Sequence, residues 1–407
     1  MAVELEFDPF APEIRADPYP TYKRMRDEAP IYWRPDGSPM FTRYDDCIAI
    51  LRDHERFSND GSKSKYAEQA GATEESAVRG TMFESLNARP MLFTDPPDHT
   101  RIRGLVNKAF TPRVVDRLRP RMETIVDDLL DEVAGAGSMD IIEQVAYPLP
   151  VIMIAELLGV PASDRDLLKG WSEPMARTID PMDDIEPEFL TEIIGAGMAF
   201  IAYFAQLINE RRKSPRDDLL SALIAAEESG DKLSQEEVIV NLILLLIAGH
   251  ETTTNLIGNG MLALLRHPSE MADLRGDPTI IKTAVEELLR YDSPVQLDAR
   301  TALVDVEIAG VTIPKKEQPV LLLAAANRDP AQFPDPDRLD LRRVPNAHIA
   351  FSSGIHFCVG ASLARAEGQV AINTMLRRMP KMELADPSPP YKGNVTLRGL
   401  AKLPVTF

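Results

Sequence analysis

The chain has 407 residues, of which 44% are hydrophobic and 27% charged, and its net charge is -18. This composition excludes a disordered or fibrous chain, and the negative charge argues against nucleic acid and anionic membranes as partners. The longest apolar run, 242–248, is far shorter than the ~20 residues of a membrane span, and the start of the chain is acidic rather than signal-like, so we expect a cytoplasmic protein.

A β-hairpin and a loop are predicted near the start of the chain. Residues 31–34 and 40–43 flank the segment 35–38, whose Pro, Asp, Gly and Ser supply the dihedral angles of a tight turn. The segment 61–77 is polar and has no sustained period, which predicts a long surface loop. Such loops often cover ligand sites.

Helical periodicity dominates the middle of the chain. Apolar residues recur at helical spacing in the segments 111–134, 149–158, 190–212, 219–228 and 235–265. Thr111 is a candidate N-cap, with Pro112 in the first turn. After Arg290 the pattern alternates over 304–308 and 311–314 around a turn, which predicts a small antiparallel sheet. No repeat or linker divides the chain, so we expect one mainly helical domain over 1–407.

The segment 351–360 carries the strongest chemical signal. Cys358 precedes a helical pattern, where free backbone amides and the positive end of the helix dipole favour the thiolate, the form that ligates metals. Gly354 and Gly360 would let the backbone approach a flat cofactor closely. Cys47 is the only other cysteine, which excludes a disulfide framework. From the residues alone, an inert buried cysteine is the more common interpretation.

The segment 248–252, Ala-Gly-His-Glu-Thr, lies inside a predicted apolar helix. Glycine costs about 1 kcal/mol in a helix interior, so Gly249 requires a reason, such as a groove for a molecule like dioxygen. Thr252 can bond back to the carbonyl of Ala248 and loosen the helix. The alternative is that Thr252 only satisfies its own turn and that Glu251 is a solvated or paired acid.

Charged residues form three further patterns. Glu287 and Arg290 stand three apart on one helical face, where they can pair, although an exposed pair of this kind contributes little. His99 and Arg103 stand four apart on a predicted helix, with ordinary surface charge as the alternative. Between His99 and Arg121 there is one acid, Asp116, against seven basic residues, which predicts a surface for a negative partner. The seven are Arg101, Arg103, Lys108, Arg113, Arg117, Arg119 and Arg121.

The loop at 351–360 resembles the haem-binding signature of the cytochrome P450 family. The matching residues are Phe351, Gly354, His356, Cys358 and Gly360. The resemblance implies a triangular, mainly α fold with a small β region and haem b (iron protoporphyrin IX) as the cofactor. It also implies that Cys358 is the axial iron ligand, whose thiolate assists the cleavage of dioxygen.

Roles for other residues follow from the same resemblance. The implied haem-binding residues besides Cys358 are His99, Arg103, Ala248, Gly249, Arg300, Phe351, His356 and Gly360. The propionates would be held by His99, Arg103, Arg300 and His356, since arginine can donate twice to a carboxylate. Thr252 would deliver protons and Glu251 would relay them. Glu287 and Arg290 would form a buried network with Arg338.

The implied activity is a monooxygenase that inserts one oxygen atom of dioxygen into a C–H bond. The expected substrate is an apolar small molecule of the macrolide or polyketide, terpenoid, steroid or fatty-acid type. Mostly apolar residues are expected to line its pocket: Met82, Phe83, Met91, Leu92, Met175, Ile179, Ile243, Leu244, Val295 and Leu297.

Electrons would come from separate proteins, because the chain has no Gly-rich flavin or nicotinamide motif. We expect a ferredoxin and a ferredoxin reductase, with the ferredoxin docking on the basic segment 101–121, and a monomeric enzyme. Two alternatives stay open: a peroxide-driven oxygenase of the same fold, and a haem-thiolate sensor without turnover. Gly249, Glu251 and Thr252 argue against the sensor, because a passive binder needs no proton path. Within the family that the chain resembles, the peroxide-driven variety commonly lacks the acid–alcohol pair, which Glu251 and Thr252 retain.

Overall fold

The computed structural model describes residues 6–70, 86, 88–180, 187–228 and 233–407. Helices account for most of these residues. In chain order the α-helices are α1 (Pro12–Ala16), α2 (Tyr19–Glu28), α3 (Tyr44–Arg52), α4 (Lys65–Ala70), α5 (Asp98–Val106), α6 (Pro112–Val133), α7 (Pro148–Leu158), α8 (Arg165–Ala176), α9 (Pro187–Lys213), α10 (Leu219–Glu228), α11 (Gln235–Arg266), α12 (Pro268–Gly276), α13 (Ile281–Tyr291), α14 (Leu323–Ala326) and α15 (Ala361–Arg378).

The strands are short and form small sheets. They are β1 (Ile31–Trp33), β2 (Pro39–Phe41), β3 (Phe57–Ser58), β4 (Ser138–Asp140), β5 (Asp298–Ala299), β6 (Thr301–Ala302), β7 (Val306–Ile308), β8 (Val311–Ile313), β9 (Val320–Leu321), β10 (Glu383–Leu384) and β11 (Pro404–Thr406). One sheet has the order β1-β2-β9-β5 and another the order β10-β11-β4, while β3 pairs with β6 and β7 with β8. The predicted mainly α fold with a small β region is confirmed.

Helix α11 runs through the core. Ser234 begins it with a capping box: its hydroxyl accepts from the amide of Glu237, whose carboxylate accepts from the amide of Ser234. Of its 32 residues 24 are buried, which the nearly continuous run of Leu, Ile and Val in its first half allows. It packs against α7, α13 and α15, and α15 is the helix that follows Cys358.

Among the residues that the structure describes, two helices are long and apolar enough to cross a membrane by length and composition alone, Glu188–Lys213 and Gln235–Arg266. Polar residues interrupt both helices, so neither contains an apolar run of the length that a membrane span requires. In the second helix 72% of the apolar window is buried inside the protein, so its apolar composition is that of a core helix.

Most elements predicted from periodicity are confirmed. The hairpin pairs Ile31 with Phe41 and Trp33 with Pro39, the helix 219–228 has its predicted bounds, and β7 pairs with β8. Thr111 occupies the N-cap position of α6, but its side chain makes no capping bond.

The loop predicted over 61–77 is wrong in its first half. Gly61–Lys63 forms a 3₁₀ turn, and α4 follows it, with Ser64 accepting from the amide of Ala67. This local cap stabilises a helical turn in a polar segment that has no apolar stripe. Residues 71–77 lie outside the described residues.

Candidate active site

A tight loop presents Cys358 at the start of α15. The amide of Cys358 donates to the carbonyl of Phe351 at 2.9 Å and closes the loop. Gly354 has a φ of +72°, and a Cβ atom there would collide with the carbonyl of Leu51 at the end of α3. The packing of the loop on α3 therefore requires glycine at this position, while the close approach of a cofactor stays a prediction.

Cys358 is accessible at the surface of the loop, although many protein atoms surround its thiol. The residue is exposed, yet burial among protein atoms raises the pKa of its thiol. The backbone amides of Gly360 and Ala361 and the guanidinium of Arg103 act in the opposite direction. The helix start thus favours the thiolate of Cys358, as predicted, but burial has the larger effect on the pKa and favours the thiol. A bound metal cation would supply the positive charge that stabilises the thiolate.

A cluster of positive and hydrogen-bonding groups surrounds this loop. The rings of His99 and His356 lie 4.2 Å apart, and Arg103 donates to the carbonyl of Phe357. Burial, reinforced by His99 and Arg300, lowers the pKa of His356 to about 3. Burial, followed by Arg103, also lowers the pKa of His99. The sequence-predicted set His99, Arg103, Arg300 and His356 is therefore brought together.

Two of these groups show what the cluster can bind. His99 is 3% exposed, and its Nε2 atom has no hydrogen-bond partner among the described residues. Arg300, also 3% exposed, pairs with Asp298 at 2.6 Å and retains a second guanidinium nitrogen, whose contact with Ser352 is 3.5 Å long. Buried donors of this kind require acceptors, and the propionate groups of a haem have the right charge. The residues present therefore fit the cofactor.

Helix α11 shows an accessible stripe on its otherwise buried surface. Leu244, Ala248 and Thr252 follow one another at four-residue spacing, which places them on one face. Ala248 is exposed and the other two are half-buried. The Thr252 hydroxyl donates to the carbonyl of Ala248 at 2.9 Å, as predicted. The stripe is apolar apart from this hydroxyl, so it suits an apolar ligand next to a single polar group.

Gly249 lies at a close contact between two helices, and the dioxygen groove beside it stays a prediction. A Cβ atom at this position would lie 3.0 and 3.1 Å from two side-chain carbons of Ile154 on α7. Close packing of α7 on α11 therefore explains the glycine.

Glu251 lies close to the stripe and is 6% exposed. Its Oε1 atom pairs with Nζ of Lys392 at 2.6 Å. His250 is buried, and its Nδ1 atom lies 2.8 Å from the carbonyl of Leu246. Lys392 was not predicted, because nothing in its neighbourhood along the chain links it to a helix 140 residues earlier.

The buried network around Glu287 differs from the prediction in one member. Arg290 donates to both carboxylate oxygens of Glu287 at 2.7 and 2.8 Å, and both side chains are fully buried. The second arginine is Arg343, at 3.1 Å, whereas Arg338 is exposed and contributes only its carbonyl to Arg290. The expectation for Arg338 was wrong, because its side chain is exposed, whereas that of Arg343 is nearly buried and reaches Glu287.

The expected pocket residues divide into three groups. Met91, Met175 and Ile243 are buried in the main hydrophobic core, so their helical spacing reflects packing. The accessible or half-buried members are Leu92, Leu244, Val295 and Leu297. Met82, Phe83 and the side chain of Ile179 lie outside the described residues.

The basic segment 101–121 is partly neutralised within the protein. Arg101 pairs with Glu237, and Arg121 pairs with Glu156. Arg119 pairs with Asp116, the one acid of the segment. Among the described residues, the exposed Arg113 and Arg117 form no ion pair, so the surface for a negative partner is smaller than the sequence suggested.

Comparisons with known proteins agree with this site. The family model "Cytochrome P450" matches residues 61–404. The chain is 41% identical to the cytochrome P450 monooxygenase PikC of Streptomyces venezuelae, over 99% of this chain and 94% of that protein. It is 42% identical to the vitamin D(3) 25-hydroxylase of Pseudonocardia autotrophica, over 99% and 96% of the two chains.

A solved structure extends the likeness to the whole fold. The structure of P450BioI in complex with an acyl carrier protein ligated to hexadec-9Z-enoic acid superimposes with a TM-score of 0.88 at 42% identity, and the match covers 97% of this chain and 99% of that one. Together with the Cys358 loop, these matches show that the chain belongs to the cytochrome P450 family and is a cytochrome P450 monooxygenase.

Proposed function

We propose that this monooxygenase binds haem b through Cys358 and hydroxylates an apolar small molecule held against the accessible face of α11. The observation that carries the proposal is the apolar stripe of Leu244 and Ala248 ending at the hydroxyl of Thr252. When bound, the haem would supply the activation of dioxygen, and the thiolate ligand would favour O–O cleavage. The propionates would be held by His99, Arg103, Arg300 and His356, and Phe351 and Gly360 would shape the loop that carries Cys358.

The chain's own contribution is to place the substrate and to supply protons. The Thr252 oxygen has lone pairs that stay free while its proton is donated to Ala248, so it can accept a hydrogen bond from a water molecule. Rotation of this hydroxyl would turn the proton toward the stripe. Glu251 precedes Thr252 on the same helix and would pass protons from solvent to it.

The substrate class is proposed from the lining. Leu92, Leu244, Val295 and Leu297 are apolar and accessible or half-buried, and they favour a ligand whose surface is largely hydrocarbon. Two similar proteins are a vitamin D(3) 25-hydroxylase and a P450 in complex with a fatty acid on its acyl carrier protein. Vitamin D(3) and the fatty acid both have a surface that is largely hydrocarbon. We therefore propose a fatty-acid-like, steroid, terpenoid or polyketide substrate.

The electron donor is proposed to be a ferredoxin, itself reduced by a ferredoxin reductase. Arg113 and Arg117 project from the first turns of α6 into solvent, and exposed unpaired guanidinium groups attract an acidic partner. A cytoplasmic location and a monomeric state stay predictions.

The first experiment is the absorption spectrum of the purified, reduced protein under carbon monoxide. Thiolate ligation through Cys358 predicts a strongly red-shifted Soret band that disappears in Cys358→Ser and persists in Cys47→Ser. Cys47 is the matched control because it is the only other cysteine and is buried away from the site. A band unaffected by Cys358→Ser would contradict the assignment. With the oxidised protein, spin-state shifts on adding fatty acids, steroids or macrolides would then identify the substrate class.

A further inference from the structure

The C-terminal segment 391–400 folds back on itself and holds Lys392 in a defined place. Tyr391 bridges Leu400 in antiparallel fashion, and the amide of Lys392 donates to the carbonyl of Gly399 at 2.9 Å. The backbone of Lys392 is therefore anchored, and only its side chain is free to reorient.

That side chain reaches the buried acid of helix α11. Lys392 Nζ lies 2.6 Å from Glu251 Oε1, and the side chains are 25% and 7% exposed, respectively. The charged partner fixes the direction in which such a carboxylate points, because an unpaired buried charge is costly. Lys392 also lines a surface cleft together with Arg15, Gln296 and Arg398, so the ion pair is connected to solvent.

The same turn is attached to Asp180 and to Gln296, and Gln296 adjoins two residues of the proposed substrate lining. Asp180, which follows the 3₁₀ turn after α8 and is 5% exposed, accepts from the amides of Val395 and Thr396 at 3.2 and 2.7 Å. The amide of Gln296 donates to the carbonyl of Thr396 at 2.9 Å, and Gln296 stands between the half-buried Val295 and Leu297. A displacement at either attachment would move the turn that carries Lys392.

We propose that Lys392 is a positioning residue for Glu251, which holds the carboxylate in the orientation from which it passes protons to Thr252. The inference rests on the proposed function, since it takes Glu251 as part of the proton path. It adds that the C-terminal turn 391–400 sets this orientation. Other titratable groups lie near this ion pair: the buried ring of His250 interacts electrostatically with Glu251, with Lys392 and with Glu173 on α8.

The test compares Lys392→Met, Lys392→Arg and Lys402→Met in the haem-loaded protein. Lys402 is an exposed lysine near the same end of the chain and forms no ion pair among the described residues, so it is the matched control. The first measurement is amide hydrogen exchange by mass spectrometry, which requires neither substrate nor electron donor. We expect residues 391–400 to exchange about threefold faster in Lys392→Met, because the turn loses its attachment to α11.

The second measurement is the hydrogen peroxide released per NADH oxidised, with a surrogate ferredoxin and ferredoxin reductase and no added substrate. Poorer proton supply in Lys392→Met should raise this ratio about twofold. Lys392→Arg should restore both readouts, since arginine retains the charge, and Lys402→Met should change neither.

The possible results separate the proposals. Faster exchange with an unchanged peroxide ratio would mean that the ion pair only holds the turn, and the positioning role would be overturned. Unchanged exchange would overturn the attachment itself. Absence of the thiolate spectrum in the unmodified protein would instead contradict the proposed function, and the exchange measurement would be unaffected by it.

Discussion

The Nε atom of Arg343 donates to both carboxylate oxygens of Glu287, at 3.2 and 3.1 Å. Glu287 is fully buried, and it also accepts from Arg290 and from the amide of Asp340. Arg343 donates further to the carbonyl of Pro334, so it connects α13 to the chain that leads into the Cys358 loop. The segment that leads into the Cys358 loop is therefore attached to α13 through a buried charged cluster.

Replacing Arg343 should destabilise the protein far more than replacing Arg338. Removal of one member of a buried ionic network leaves charge uncompensated and costs about 3 kcal/mol, so we expect Arg343→Met to lower the free energy of unfolding by about this amount and to reduce haem retention. Arg338→Met changes an exposed side chain and should stay within about 0.5 kcal/mol. Chemical denaturation monitored by circular dichroism checks both. Equal losses in the two variants would contradict the assignment.

Arg343 also illustrates what could be predicted from the sequence and what could not. The Glu287–Arg290 pair and the Cys358 loop are local patterns, because spacing along one helix or one turn decides which side chains meet. The partner of the pair comes from a loop about fifty residues later, where Arg338, Arg342 and Arg343 are alternatives of the same chemistry. Only the path of that loop selects Arg343, and the sequence does not reveal this path.

Lys392 and Gly249 are two further residues whose contacts depend on distant parts of the chain and could not be predicted from the sequence. The ion pair of Lys392 with Glu251 joins the C-terminal turn to the central helix, and no periodicity connects the two segments. Gly249 is unusual inside a helix, which the sequence reveals, but its close contact with Ile154 involves a tertiary neighbour that the sequence does not reveal. Helix and hairpin positions were predictable because the apolar period determines them, and α4 was missed because it has no such period.

Acid should remove the stabilising effect of Glu286. Burial alone would raise the pKa of this carboxyl, but hydrogen bonds from His348 and Arg365 outweigh it, and the pKa is lowered to about 2. A lowered pKa stabilises the folded state above the ordinary value near 4.5, and this contribution is lost as the pH falls toward 2. At neutral pH it is on the order of 2 kcal/mol.

The measurement for Glu286 is urea unfolding between pH 7 and pH 3. The difference in unfolding free energy between the unmodified protein and Glu286→Gln should be constant down to about pH 5 and should then shrink. Glu307→Gln, at an exposed position of β7, serves as the control and should show no such trend. A difference that is independent of pH would contradict the ionic role of Glu286.

Gly354 should tolerate no side chain. Its φ of +72° and its approach to the carbonyl of Leu51 both oppose a Cβ atom, so Gly354→Ala should cost about 2 kcal/mol of stability and distort the Cys358 loop. Gly104 lies within α5, and a Cβ atom there would meet nothing within 4 Å. Gly104→Ala should therefore stabilise the protein by about 0.5 kcal/mol. Thermal unfolding checks that the two variants change the stability in opposite directions. The carbon monoxide spectrum checks whether the Cys358 loop is distorted in Gly354→Ala.

Replacing Thr252 should uncouple reductant consumption from product. Thr252→Ala removes the hydroxyl that bonds to Ala248 without changing the apolar character of the stripe, so substrate should still bind and proton supply should fail. We expect the ratio of peroxide to product to rise about tenfold and the substrate-induced spectral shift to persist. Thr254→Ala, whose hydroxyl bonds to the carbonyl of His250 inside the core, is the matched control. Full coupling in Thr252→Ala would refute the relay.

Reversing the charge of Arg113 and Arg117 should slow electron transfer from ferredoxin. Both arginines are exposed, and neither forms an ion pair among the described residues; Arg117 donates only to the carbonyl of Arg113, at 3.4 Å. Their replacement by Glu therefore removes attraction to an acidic partner without breaking an ion pair. The rate of reduction by a surrogate acidic ferredoxin should fall about tenfold at low salt, and the difference should shrink as added salt screens the charges. Arg216→Glu, at an exposed position between α9 and α10, makes a charge change of the same kind away from α6 and should leave the rate unchanged. Unchanged reduction in the double variant, or an equal loss in Arg216→Glu, would show that the ferredoxin docks elsewhere or responds only to total charge.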